Sequence, residues 1–179
     1  MSATAVVIRR LQTTDNSALL RYFCALSHLT RSRFGPHPFD KQTVTAICNH
    51  SYDQLQGWIG IDPASDRIIA YLVVKPGYLH FEEERYRSYG LLLNHDQDYT
   101  LAPSVADDWQ SSGVGSVLMA HVLSELEQRG QGQIVLWGGV QAGNTRACQF
   151  YRKFGFRQLG EFEHNGLNYD MIRQFGRDG

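Results

Sequence analysis

Residues 110–115 read Gln110-Ser111-Ser112-Gly113-Val114-Gly115 and join a strand-like run to the longest amphipathic segment of the chain. Upstream, Tyr99 to Val105 has the pattern of a strand with Pro103 inside it. Proline has no amide to give to a ladder, so this strand is expected to be locally an edge or to carry a bulge. Downstream, Gly113 to Arg129 sets Gly115, Leu118, Met119, Val122 and Leu126 on one apolar face, with Glu125, Glu127, Gln128 and Arg129 largely away from it. The first-turn amides of such a helix lack intrahelical partners and lie at its positive end, where they receive a phosphate. Glycines at 113 and 115 remove the β-carbons that would hold an anion away from the backbone. The lysine of a P-loop and the spacing of a dinucleotide turn are both absent. On these residues alone, two glycines easing a tight turn remains the plainer alternative.

The flanking sequence supplies the rest of a mixed architecture. Ala5 to Leu11 suits an opening strand; Thr14 or Asp15 is placed to cap a helix carrying Leu19, Leu20, Phe23 and Leu26, which Gly35-Pro36-His37-Pro38 would stop. Asp40 is placed to cap a shorter helix ending near Cys48. Gln56 to Asp62 and Arg67 to Lys75 read as a hairpin about Pro63-Ala64-Ser65-Asp66. Tyr78 to Gly90, rich in charge and tyrosine, reads as loop, short helix or insertion. Gln133 to Val140 is a continuous apolar run typical of one buried strand. Asn144 to Phe154 reads as a helix closed by Gly155, and Phe156 to Glu163 with Leu167 to Phe175 as a hairpin around Asn165-Gly166. The fold class is α/β (α+β), with a mixed, mostly antiparallel sheet of about seven strands, about four helices, and a single domain over residues 1–179.

Composition narrows the functions. With 42% apolar residues, 20% charged residues and a net charge of −1, the chain carries no broad field for nucleic acid or anionic lipid. No run approaches the ~20 apolar residues of a membrane span, and the amino terminus lacks the features of a signal peptide. Three widely spaced cysteines (Cys24, Cys48, Cys148) form no CxxC pair, which points to reduced thiols and a cytoplasmic setting. The seven histidines show no metal-ligand spacing, so no metal is expected.

Residues 110–115 resemble the coenzyme-A motif of the GNAT superfamily of N-acetyltransferases, Q/R-x-x-G-x-G/A. About thirty residues on, Asn144-Thr145-Arg146-Ala147-Cys148-Gln149-Phe150-Tyr151-Arg152-Lys153-Phe154-Gly155-Phe156 is similar to the family's second signature, N-x-x-A-x-x-F/L-Y-x-K-x-G-F. The resemblance implies acetyl-CoA as the acyl donor and a primary amine, small-molecule or protein, as acceptor, with no nucleic acid or membrane partner and a homodimer left open. Backbone amides of Gln110, Ser111, Ser112, Gly113, Val114 and Gly115 would hold the pyrophosphate. Pro103, Ser104 and Val105 would pair with the pantetheine arm, Asn144 would hydrogen-bond it, and Tyr151 would sit near the thioester sulfur to protonate or stabilise the leaving thiolate. Cys148 has no histidine partner in sequence, so no acyl-enzyme is expected.

The sequence departs from the family where many members carry a carboxylate base, early in the strand before the loop. The positions that alternate with Val105 are Tyr99, Leu101 and Pro103. Asp98 is the first candidate for the base, with Asp96, His80 and Glu83 behind it; each also reads as an ordinary surface charge. Transfer without a dedicated base, and an acyl-CoA-sensing module without turnover, are the alternatives. Arg31, Arg33, His37, Tyr86 and Tyr89 are candidates to line an acceptor cleft.

Overall fold

The computed structural model describes residues 5–130 and 132–175. Its strands are β1 (Val7–Arg10), β2 (Gln56–Asp62), β3 (Arg67–Pro76), β4 (Tyr99–Val105), β5 (Gln133–Leu136), β6 (Val140–Gln141), β7 (Arg157–Glu163) and β8 (Leu167–Gln174). Its helices are α1 (Asn16–Ala25), α2 (His28–Ser32), α3 (Lys41–Cys48), α4 (Glu83–Ser88), α5 (Val114–Glu127) and α6 (Thr145–Lys153). The sheet runs β1-β2-β3-β4-β5-β8-β6, with β7 pairing β8. The β4–β5 pair is parallel, whereas β1–β2, β2–β3, β5–β8, β6–β8 and β7–β8 are antiparallel. The fold is the expected mixed α/β class.

The chain forms two compact units. Residues 5–74 and 102–123 form one of them. Ile68 to Val74 of β3 are all buried, which is why this strand reads as an unbroken apolar run. The ring of Phe23 on α1 stacks on Phe39 at 4.8 Å and meets Tyr71 edge-on at 5.2 Å, with Phe34 and His37 completing an aromatic core. Asp40 caps α3 by accepting the Thr43 amide, as its position suggests. Two local expectations change. Asp15 does not cap α1: its carboxylate accepts the Gln12 amide and both terminal nitrogens of Arg9, each of the latter at 2.7 Å, tying the strand exit to the helix entry. The first helix also stops at Ala25, well before the glycine-proline segment, because Ser27 turns the chain and caps a separate α2.

Residues 75–101 and 124–175 form the other unit. Tyr86 of α4 packs with Val135 of β5 and Ile172 of β8 under Tyr89, Leu91, Leu93 and Leu159. The ambiguous stretch 78–90 is a 3-10 turn, His80–Glu82, running into α4. The apolar run 133–140 is not one strand. It breaks at Gly138 and Gly139, whose φ angles of 65° and 68° lie in the left-handed region, so the chain turns between β5 and β6. The Asn165-Gly166 turn forms as read, both residues having positive φ, and Glu163 faces Leu167 across it.

Candidate active site

β4 reaches its loop through residues that also order the segment after α1. The Tyr22 hydroxyl and Ser104 Oγ hydrogen-bond at 2.7 Å in a buried position. Beyond β4, Asp107 accepts from the Ser27 amide (2.8 Å), Ser27 Oγ (2.7 Å) and Thr30 Oγ1 (2.6 Å). Desolvation raises the pKa of Asp107, but the bonds from Thr30 and Ser27 outweigh it and hold the group below the usual carboxylate range. Gln110 Nε2 donates to Thr30 Oγ1 and to the Val105 carbonyl. The carboxylates beside the loop are thus loop-ordering groups, Asp108 being paired with Arg67 at 3.3 Å.

The loop itself is exposed from Ser111 to Gly113 and bends through two left-handed residues, Ser111 (φ 63°) and Gly113 (φ 93°). The Ser116 and Val117 amides both donate to the Gly113 carbonyl. Val114 and Gly115 lead α5, where no earlier turn supplies an acceptor for their amides. A β-carbon at Gly113 would meet nothing within 4 Å, so the backbone there is open to an approaching group.

In the second unit, β4 and β5 run parallel in register from Tyr99–Ile134 to Leu101–Leu136, and Trp137 donates its amide to the Leu101 carbonyl. Asn144 caps α6, its Oδ1 accepting the Ala147 amide at 3.3 Å and leaving the Nδ2 hydrogens for other partners. Tyr151 is buried on α6 beside Phe150 and Phe156. Burial raises its pKa, and the nearby Cys148 thiol adds to this, so the hydroxyl stays protonated throughout the neutral range.

Asp98, the first base candidate, is 3% exposed, and its two oxygens accept the amides of Asn94 (2.6 Å) and Gln133 (2.8 Å). Burial raises its pKa against those two bonds. The carboxylate joins the entry to β4 with the start of β5, an engagement that leaves it poorly placed for an incoming amine. Asp96 is exposed, Glu83 pairs with Arg87, and the exposed His80 lies 5.0 Å from the ring of His95. Of the suggested cleft residues, Arg33 is exposed and Arg31 donates to the Cys24 carbonyl. His37 and Tyr86 are core residues at 5% and 1% exposure, not lining ones. His37 bonds the Pro38 carbonyl and the Tyr71 hydroxyl, and burial lowers its pKa.

One group was not singled out from sequence. Glu82, in a run of three glutamates, is completely buried and shares Arg85 with the equally buried Asp170. Nothing in the linear pattern distinguishes it from Glu83 and Glu84; the 3-10 turn that rolls it inward does. Among the described residues no three His, Cys, Asp or Glu side chains are grouped to hold a metal ion, and no helix is long and apolar enough to cross a membrane.

The model of the acetyltransferase (GNAT) family matches residues 23–156, more than half of the chain. The chain belongs to this family. Curated relatives include the ribosomal protein bS18-alanine N-acetyltransferases of Salmonella typhimurium and Escherichia coli K12, each 38% identical over 55 residues. That match spans 31% of this chain and 36% of each relative's length. The GNAT domain of S. lividans PAT superposes with a TM-score of 0.72 at 18% identity, covering 94% of this chain and 89% of that one. The Thermoplasma acidophilum paia N-acetyltransferase, solved in complex with coenzyme A, gives 0.66 at 14% identity over 96% and 99% of the two chains. At these identities the structural likeness shows the shared GNAT fold.

Proposed function

We propose that this GNAT protein transfers an acetyl group from acetyl-CoA to a primary amine by direct attack in a ternary complex. One observation carries the reading: the segment matching the coenzyme-A motif is an exposed loop with left-handed Ser111 and Gly113, leading into the first turn of α5, where helix amides lack intrahelical acceptors. In this reading Gln110, Ser111, Ser112, Gly113, Val114 and Gly115 bind the pyrophosphate. The backbone of Pro103, Ser104 and Val105 at the end of β4 receives the pantetheine arm. Asn144 offers Nδ2 to that arm, and Tyr151 hydrogen-bonds the departing sulfur. Holding thioester and amine together replaces a bimolecular encounter, and a backbone amide facing the developing oxyanion stabilises it. Residues 1–179 act as one functional domain, and three unpaired thiols suit a cytoplasmic setting.

Relatives named for the alanine of a ribosomal protein make a peptide amino terminus the first acceptor to test. The deciding assay follows thiol release from acetyl-CoA with an alanine-initiated peptide, a lysine peptide and a polyamine, with mass-spectrometric identification of product. Acetylated amine with stoichiometric free CoA is expected. The engagement of Asp98 with two backbone amides favours a second reading, a module that binds acyl-CoA without turnover. CoA binding without acetylation of any amine would establish that alternative.

A further inference from the structure

The loop at 110–115 is held at its entry by the chain around the end of α1. Tyr22 of α1 bonds Ser104 of β4, and further on Thr30 of α2 meets both Asp107 and Gln110, the residues at the two ends of the 3-10 turn Asp107–Trp109. All of these residues belong to the same compact unit. Chemistry fixes the direction of each bond. Asp107 lies below the usual carboxylate range, so at neutral pH it only accepts. The Thr30 hydroxyl therefore gives its single hydrogen to Asp107 Oδ1, at 2.6 Å. Its lone pairs face the Gln110 amide, whose Nε2 lies 3.2 Å away. That nitrogen also donates to the Val105 carbonyl at 3.3 Å, and a carbonyl only accepts, which settles which end of the amide is nitrogen. Thr30 thus relays a chain of donors and acceptors from Gln110 to Asp107.

The relay ends where the loop needs support. Gln110 is extended, with φ −64° and ψ 145°, and the next residue, Ser111, is left-handed at φ 63°. A residue other than glycine occupies that region at a cost and stays there only where its surroundings over-determine it. On one side of Ser111, the Gln110 side chain is tied to the end of β4 and to α2. On the other, the amide and the hydroxyl of Ser112 both donate to the Trp109 carbonyl. The amide and hydroxyl of Ser27 fill the remaining positions on Asp107, so both carboxylate oxygens are engaged with the α1–α2 segment.

Resting on the coenzyme-A reading of residues 110–115, we infer that Thr30 is a positioning residue for the cofactor, fixing the bend at Gln110 and Ser111 before acetyl-CoA arrives. It acts through Gln110 and not on the reacting atoms. A loop ordered beforehand loses less freedom on binding, so Thr30 contributes to how tightly the pyrophosphate is held. That contribution is the same in the ground state and the transition state, and it therefore moves KM for acetyl-CoA without moving kcat.

The test measures the dissociation constant of CoA by calorimetry on the full chain, with melting temperature, and with KM for acetyl-CoA and kcat on the amine panel. Thr30→Val keeps the shape and β-branching of the side chain, so α2 itself is little affected, and removes the hydroxyl. Expected are a folded protein, a CoA dissociation constant and KM raised ~3- to 10-fold, as for a lost hydrogen bond, and an unchanged kcat. Thr30→Ser, which keeps the oxygen, restores wild-type affinity. Ser32→Ala removes a bond to the Leu29 carbonyl near the end of α2 and should leave CoA affinity as it is. Gln110→Met cuts the relay at its other end; combined with Thr30→Val, the loss should fall short of the product of the two single losses, because both break one bond. A folded Thr30→Val protein that binds CoA as wild type does overturns the inference and leaves the acetyl-CoA reading intact. So does a loss that Ser32→Ala reproduces, or one that multiplies independently in the double variant. A wild type that binds no CoA overturns both.

Discussion

At the scale of single residues, burial decides what each ionisable group does. Tyr151 has a pKa raised above its ordinary ~10, higher than the ~8.5 of a thiol, so complete proton donation to the thiolate runs uphill. Stabilisation by hydrogen bonding fits this better, and Tyr151→Phe is expected to lower kcat by ~10- to 100-fold with KM for acetyl-CoA little changed. A stability loss with unchanged kcat would make it a core tyrosine. Glu82 carries a sign that can be read from stability. Its folded pKa of about 7 exceeds the ordinary 4.5, so the folded state binds the proton more tightly. That contribution is complete below about pH 4.5 and is lost as pH rises through 7. Glu82→Gln is therefore expected to melt higher than wild type at pH 8, by on the order of 2 kcal/mol of stability, with a much smaller gain at pH 5. Equal melting temperatures at both values would show that the site is not proton-linked.

At the scale of elements, the two loops that interrupt regular structure make opposite demands on glycine. A β-carbon on Gly139 would lie 2.7 Å from the Tyr169 carbonyl and against the Phe162 ring, at φ 68°. Gly139→Ala should cost on the order of 2 kcal/mol, measured by denaturant unfolding, whereas Gly138→Ala should cost ~1 kcal/mol or less. At Gly113 space is free but φ is 93°, so Gly113→Asp should cost ~1 kcal/mol of stability, leave the protein folded and abolish the CoA-induced thermal shift, because its carboxylate would meet the pyrophosphate. Unchanged CoA affinity would reduce the loop to a turn. The same contrast explains what the sequence made legible. The hairpins, α3 with its Asp40 cap and the strand–loop–helix at 99–127 follow from periodicity and local capping. The break at Gly138-Gly139 was hidden because an apolar run looks the same whether or not two glycines inside it turn left-handed. Glu82 was hidden because three consecutive glutamates look like a solvated charge run, and only the cation and the second carboxylate brought from α4 and β8 mark one of them as buried.

At the scale of the whole molecule, ligand binding adds to folding stability by mass action. CoA at a hundredfold excess over its dissociation constant should add ~2.7 kcal/mol and raise the melting temperature accordingly; a folded protein with no shift would remove the cofactor assignment. A subtler effect follows from the contacts Asp107 makes with Ser27 and Thr30. Helix α2 is five residues long and has no buried residue, so its opening is opposed mainly by its ends and by polar contacts such as these. Segments of that kind unfold locally at little cost and exchange their amide hydrogens quickly. If CoA orders the loop beyond Asp107, the Asp107 contacts pass that order to α2, and the exchange of α2 amides becomes a gauge of cofactor occupancy. Deuterium uptake by residues 28–32 should slow when CoA is added to wild type. In Asp107→Asn, which weakens the tie, uptake should be faster and respond less to CoA. If α2 slows equally in both proteins, protection reaches it by a route other than Asp107.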